Sequence, residues 1–147
     1  MGGILTLGRN FECRPNKLKG YYKYTSAKVS VSKGHLNEGE DDLCSLYIAL
    51  TDEQITVNTN KGIYFDPNSS AVIAYGSISD EESKGADSFK EFTVDLEYKD
   101  LKRMPKYIIV VASSSKYGDY MEGGKGSTMW LDDLELVYPK SMEEVRK

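Results

Sequence analysis

Residues 88–99 read SFKEFTVDLEYK and alternate between apolar and polar side chains. The apolar set is Phe92, Val94, Leu96 and Tyr98, and the polar set is Glu91, Thr93, Asp95 and Glu97. Successive side chains of a strand point to opposite faces of a sheet. This period of two therefore predicts an antiparallel strand with one face in a core and the other in water.

The same alternation returns along the whole chain. Residues 42–52, DLCSLYIALTD, place a second apolar set on one face: Cys44, Leu46, Ile48 and Leu50. Residues 106–115, KYIIVVASSS, are apolar on both faces, which is typical of a central strand. Further strands are predicted within residues 4–7, 20–31, 53–60, 71–79 and 126–138. The sequence therefore predicts an all-β fold, an antiparallel sandwich or barrel of about eight strands.

Length, charge and composition restrict the class of protein. The chain has 147 residues, 39% of them hydrophobic and 29% charged, which fits one globular domain over residues 1–147. The formal net charge of −4 argues against nucleic acid as a partner, because nucleic acid selects basic surfaces. No apolar run is long enough to insert into a membrane. Cys13 and Cys44 provide neither a disulfide framework nor a zinc site.

The two ends of the chain carry their own expectations. Met1-Gly2-Gly3 is expected to be an edge introduced by cloning, and this start lacks the basic and apolar regions of a signal peptide. Residues 139–147 are expected to form a tail. Within it, Ser141 and Glu144 have the spacing of a helix capping box.

One acidic residue in the last predicted strand lies at an unexpected position. In GSTMWLDDLELVY, residues 126–138, parity places Asp132 on the same face as Trp130, Leu134 and Leu136. An unpaired carboxylate in an apolar interior is very costly, so Asp132 is predicted to have a partner. Backbone N–H groups, an arginine or a lysine, and a calcium ion held with carbonyl oxygens all satisfy this requirement.

Other candidate groups have ordinary explanations. The only histidine, His35, lies in a loop without an apparent triad partner and is predicted to be solvated. The acidic run Glu38, Glu40, Asp41 and Asp42 lacks EF-hand spacing and is predicted to be a solvated surface. The 23 acidic residues leave a hydrolase with a carboxylate pair open, since the separation of such a pair is not visible in a sequence.

Three stretches resemble the carbohydrate metabolism domain of Bacteroidetes cell-envelope proteins (PCMD). They are CRPNKLKGYYKYT at 13–25, SSSKYGDYMEGGKGS at 113–127 and GSTMWLDDLELVY at 126–138. Their order and rough spacing match, and the resemblance covers roughly residues 4–139. Members of that family are larger, so the chain is expected to be the C-terminal part of a longer protein.

The ending is also similar to the last strand of jelly-roll carbohydrate-binding modules. In several of those modules the first Asp of a D-D-hydrophobic pair ligates a structural calcium, and the matching residue here is Asp132. Together the resemblances imply a jelly-roll β-sandwich, an extracytoplasmic location in the periplasm or on the outer surface, and a role in handling glycans. A structural calcium is the one cofactor they imply.

Three functions follow as hypotheses. The first is a non-catalytic carbohydrate-binding module, with Tyr117 and Tyr120 as stacking platforms beside Asp119 and Lys116, all within the matched loop. The second is a glycoside hydrolase or lyase that uses two carboxylates. The third is a structural or assembly module without a glycan ligand.

Overall fold

The computed structural model describes residues 4–139, and almost all of its regular structure is β. The strands are β1 Ile4–Leu7, β2 Arg9–Asn10, β3 Lys17–Thr25, β4 Ser45–Thr51, β5 Ile55–Asn58, β6 Val72–Ser77, β7 Ala86–Asp95, β8 Glu97–Tyr98, β9 Tyr107–Ser113 and β10 Thr128–Val137. One helical turn, α1, spans Asp80–Ser83, and short 3₁₀ turns span Thr59–Lys61 and Gly118–Tyr120. The expected cloning edge and the predicted capping box at Ser141 lie outside the described residues.

The strands form three antiparallel sheets. The five-stranded sheet has the order β2-β9-β4-β6-β8, the three-stranded sheet the order β10-β3-β7, and β1 pairs with β5. The five-stranded and three-stranded sheets face each other across one core. The prediction of an antiparallel all-β sandwich is confirmed, with ten strands in the described part of the chain; the jelly-roll connection stays a prediction.

The core lies where the alternation predicts it. The β4 face that begins at Cys44 is fully buried, and so are Phe92 and Val94 of β7 on the opposite sheet. Full burial of one such aliphatic or aromatic side chain contributes roughly 1.5–3 kcal/mol. The hydrophobic effect on these alternating faces therefore fixes which side of each sheet faces inward.

The two sheets approach each other closely where β6 meets the end of β7. A Cβ atom added to Gly76 would overlap the backbone carbonyl oxygen of Asp95 and would lie 2.7 Å from Cγ1 of Val94. A backbone oxygen cannot rotate away as a side chain can. The sequence therefore needs glycine at position 76 for β6 and β7 to pack.

A β-bulge in β10 corrects the parity prediction for Asp132. The register pairs Asp132 with Tyr21 and Glu135 with Lys19, so two residues of β10 oppose Gly20 alone. Asp133, inside this bulge, has φ 52°. One extra residue in a strand exchanges the faces of the residues beyond it.

The two halves of β10 consequently bury opposite parities. Before the bulge the side chains packed against the core are Met129 and Leu131, and after it Leu136. Trp130 is 41% exposed and Asp132 is exposed. The prediction that these two residues share a core-facing side was wrong, because parity was counted through an irregular strand.

Replacing Asp132 with Ala is therefore expected to change the free energy of unfolding by less than about 1 kcal/mol. In the folded chain its Oδ1 accepts a hydrogen bond from the N–H of Asp133 at 2.9 Å, and solvent replaces this contact easily. Urea denaturation of the variant and the wild type measures the difference. A loss above 2 kcal/mol would restore the view of Asp132 as a structural anchor.

Strand β9 is less central than its apolar sequence predicts. On its outer side β2 pairs only with Tyr107 and Ile108, because Gly8, with φ 125°, turns the chain away towards β1. As a result Val110 is 43% exposed.

Among residues 4–139, no helix has the length and apolarity that a membrane crossing needs.

Candidate functional site

Two long loops dock on each other at one end of the sandwich. One joins β3 to β4, and the other joins β9 to β10 through the glycine-rich stretch. Val31 and Gly123 form an isolated antiparallel bridge between them, and the N–H of Lys116 donates to the carbonyl of Leu43 at 2.7 Å. The two docked loops therefore bring together residues that are far apart in the sequence.

Asp42 is the first of two buried carboxylates that hold these loops together. It is 1% exposed, and its Oδ2 accepts hydrogen bonds from Ser115 Oγ at 2.7 Å, Ser127 Oγ at 2.8 Å and the Gly124 N–H at 3.0 Å. Its Oδ1 accepts the N–H of Leu43 at 2.9 Å. The prediction that the whole acidic run is solvated was wrong at Asp42, which ties both ends of the β9–β10 loop to the start of β4.

Close contacts explain why residues 123 and 124 of this loop are glycines. A Cβ atom on Gly124 would lie 2.7 Å from the carbonyl oxygen of Lys28, and one on Gly123 would lie 2.7 Å from Ser115 Oγ. Glycine at 124 therefore lets the backbone of this loop approach the backbone of the β3–β4 loop, and glycine at 123 leaves room for Ser115 within its own loop.

Glu122 is the second buried carboxylate, at 2% exposure. Its Oε1 accepts the N–H groups of Lys33 and, at 3.2 Å, His35; its Oε2 accepts the N–H of Leu36 at 2.9 Å. Burial by itself would raise the pKa of Glu122, but these three N–H donors, helped by the nearby His35 ring, lower it below its ordinary value. An ionised Glu122 thus shapes the turn at residues 33–36.

Acid is expected to weaken the contribution of Glu122 to stability. Because its folded pKa lies below the ordinary value of 4.5, its stabilisation is present above that pH and is lost as the pH falls through the folded pKa. Glu122→Gln should therefore melt at a lower temperature than the wild type at pH 7, with a gap that narrows as the pH is lowered below 4.5. Melting curves at a series of falling pH values test this expectation, and a gap of constant size would contradict it.

Four rings gather above this carboxylate, and we call them the ring cluster: His35, Tyr64, Tyr117 and Tyr120. The ring of His35 stacks on Tyr117, with centroids 4.4 Å apart and planes 14° apart, and contacts Tyr120 at 4.4 Å. Tyr64 contacts Tyr120 at 4.3 Å. The imidazole is an exposed loop side chain, as predicted, but it also belongs to this stack, with Nδ1 3.7 Å from Glu122 Oε2.

Further rings lie on the outer face of the five-stranded sheet. Phe65 stacks on Tyr47 of β4 with centroids 5.0 Å apart, and Tyr75 of β6 contacts Tyr47 at 5.8 Å. Burial raises the pKa of Tyr47 to about 12, with smaller contributions from Tyr75 and the charge of Asp119. The 3₁₀ turn that carries Asp119 therefore lies close to this face.

The four residues predicted to bind ligand lie together on one loop. The rings of Tyr117 and Tyr120 are 6.5 Å apart, and Tyr120 is 37% exposed. Lys116 Nζ lies 5.8 Å from the centroid of Tyr117 and 3.9 Å from Asp80 Oδ1. His35 and Tyr64 could not be predicted as neighbours of these rings, because only the docking of separate loops brings them together.

The surroundings of Asp132 bear on the predicted calcium site. Asp132 is exposed, and the described range 4–139 contains no group of three or more His, Cys, Asp or Glu side chains that could hold a metal ion. The carboxylate oxygen Oδ1 already accepts the neighbouring N–H. We therefore derive no role for a metal, and calcium at Asp132 stays a prediction.

The fold and this site define an antiparallel β-sandwich domain with aromatic rings clustered on its loops. The chain belongs to the family described as Putative carbohydrate metabolism domain, whose model matches residues 2–137. This confirms the family that the three sequence stretches resemble. No protein of curated function matches the chain significantly.

Two solved structures have the same fold. One, described as a putative glycoside hydrolase from Bacteroides thetaiotaomicron, is 25% identical with a TM-score of 0.74, over 93% of this chain and 42% of that one. The other, described as a putative glycoside hydrolase from Bacteroides vulgatus, is 26% identical with a TM-score of 0.66, over 90% of this chain and 55% of that one. The chain thus spans about half the length of these relatives.

Proposed function

We propose that this chain is a non-catalytic carbohydrate-binding domain of an extracytoplasmic bacterial protein, and that the ring cluster is its binding site. The observation that carries the proposal is the set of half-exposed rings supported by buried carboxylates. Tyr117 and Tyr120 would stack on the apolar faces of sugar rings, while Asp119 and Lys116 would hydrogen-bond the sugar hydroxyls. Membership of a carbohydrate metabolism family supports this ligand class.

The loops that carry the rings are organised before any ligand arrives. Asp42 fixes both ends of the β9–β10 loop, and Glu122 fixes the turn that positions His35. A site that is already ordered loses less conformational entropy when a ligand binds. This preorganisation is a feature expected of a binding surface.

The chemistry of Glu122 favours binding over hydrolysis at this site. A glycosidase needs a carboxylic acid with a raised pKa that can protonate the leaving oxygen. Glu122 is the buried acid beneath the rings, its pKa is lowered, and its oxygens accept backbone N–H groups. It would therefore be a poor general acid.

Tyr120→Ala should weaken binding of a captured glycan by about 30-fold, because truncating an aromatic anchor costs on the order of 2 kcal/mol. A glycan array identifies the ligand, and calorimetry then measures the affinity of both proteins. The control is Tyr138→Ala, which removes another exposed ring, just after the C-terminal end of β10. Equal affinity of Tyr120→Ala and the wild type would contradict the placement of the site.

A glycoside hydrolase is the second candidate, because both solved relatives are described as putative glycoside hydrolases. Release of reducing ends from a polysaccharide panel tests it directly. If the release of reducing ends copurifies with the protein, the hydrolase would replace the binding proposal. Failure to bind any glycan at millimolar concentration, together with no release, would leave an assembly module as the remaining hypothesis.

A further inference from the structure

We propose a second glycan-binding surface on the outer face of the three-stranded sheet, centred on Trp130 and Tyr21, with a neutral polysaccharide chain as its ligand. The surface goes beyond the ring cluster and rests on the proposed function only for the class of ligand. Both rings belong to a face that the core separates from the five-stranded sheet.

The two rings are diagonal neighbours on adjacent strands. The register pairs Trp130 with Lys23 and Asp132 with Tyr21, so the two rings lie one step apart across β10 and β3. Such diagonal positions are about 7–8 Å apart, within reach of large side chains. The rings are 41% and 40% exposed, although burial is the usual fate of large aromatic side chains.

Polar groups around the rings hold them in place and offer hydrogen bonds. Lys23 Nζ lies 4.9 Å from the centroid of the Trp130 ring, a cation–π contact that helps to hold this 41% exposed ring in place. On the other side, Glu91 pairs with Tyr21 across β3 and β7, and the charge of Glu91 raises the pKa of Tyr21. A sugar ring could stack on either aromatic ring while these charged groups accept or donate to its hydroxyls.

The charge pattern of the face selects among ligand classes. Its charged side chains are Lys17, Lys19, Lys23, Glu91, Asp95, Asp132 and Glu135. Both signs are interleaved, so the face does not offer the basic surface that nucleic acid selects. Lys, Glu and Asp are depleted from the centres of protein interfaces, which argues against a protein partner. An uncharged ligand with apolar ring faces and many hydroxyls fits this mixture.

The chain contains one tryptophan, so its fluorescence reports on this face alone. We would titrate the full chain with soluble xyloglucan, galactomannan and arabinoxylan and follow tryptophan emission. At least one of them should shift the emission, and the shift should persist in Tyr120→Ala. In affinity electrophoresis with that polysaccharide, Trp130→Ala and Tyr21→Ala should each lose about tenfold in affinity, and Tyr138→Ala should lose none.

The outcomes separate the two sites. An emission shift that survives Tyr120→Ala supports the second surface even if the ring cluster fails its own test. Binding that depends on Tyr120 and leaves the tryptophan emission unchanged overturns the second surface and keeps the proposed function. No emission shift with any of the three polysaccharides also overturns it. Melting curves of Trp130→Ala and Tyr21→Ala verify that each variant is folded before its affinity is read.

Discussion

Replacing Asp42 with Ala is expected to lower the free energy of unfolding by about 4 kcal/mol. The substitution removes the acceptor shared by Ser115 Oγ, Ser127 Oγ and the N–H of Gly124. These donors lie in a protein interior, so they lose a charge-assisted hydrogen bond without full compensation by water. The β9–β10 loop would then be released from β4 at both of its ends.

Asp41→Ala is the matched control for this prediction. Asp41 is the adjacent acid, and its ion pair with Lys28, at 2.6 Å, is exposed on both sides. Exposed pairs of this kind contribute about 0–1 kcal/mol. Urea denaturation should therefore separate the two variants by about 3 kcal/mol, and equal stabilities would show that Asp42 does not anchor the loops.

Replacing Gly76 with Ala is expected to cost about 3 kcal/mol and to lower the melting temperature by about 10 °C. The new Cβ would overlap the carbonyl oxygen of Asp95, and relief requires β6 and β7 to move apart. That movement would loosen the contact between the sheets. Thermal melting and urea denaturation both measure the effect.

Gly118→Ala provides the comparison. A Cβ at position 118 would lie 3.7 Å from Cβ of Ser115, which is an ordinary contact, and the Gly118 backbone is outside the left-handed region. We expect its free energy of unfolding to stay within about 0.5 kcal/mol of the wild type. A similar loss in both variants would point to a general cost of removing glycine rather than to the approach of the sheets.

The core strands could be predicted from the sequence because one face of each strand packs in the core and the other face does not. On β4 the alternate residues that follow Cys44 are buried, and on β7 Phe92 and Val94 are buried, as the alternation indicates. The same counting failed in β10, because an extra residue at Asp133 changes which parity faces inward. Alternation reports burial only while the register is regular, and the register depends on the neighbouring strand.

Only part of the candidate site could be predicted from the sequence. Tyr117 and Tyr120 are three residues apart, so one local turn brings them together and the sequence could suggest them as a pair. Asp42 could not be recognised as buried, because it ends an acidic run and its partners Ser115 and Ser127 are 73 and 85 residues away. His35 lies on the β3–β4 loop, and the hydrogen bond from its N–H to Glu122 helps to hold it beside the rings of the β9–β10 loop.

The bulge at Asp133 also bears on self-association. Within residues 4–139, β10 is the outermost strand of its sheet, and an edge of this kind is where another molecule could add a strand. The left-handed backbone at Asp133 interrupts the regular spacing of N–H and C=O groups, and Asp132, Asp133 and Glu135 place negative charges at the same position. An approaching copy would meet a mismatched ladder and like charges. The residue that makes β10 irregular thus makes this edge a poor template for a strand of a second molecule.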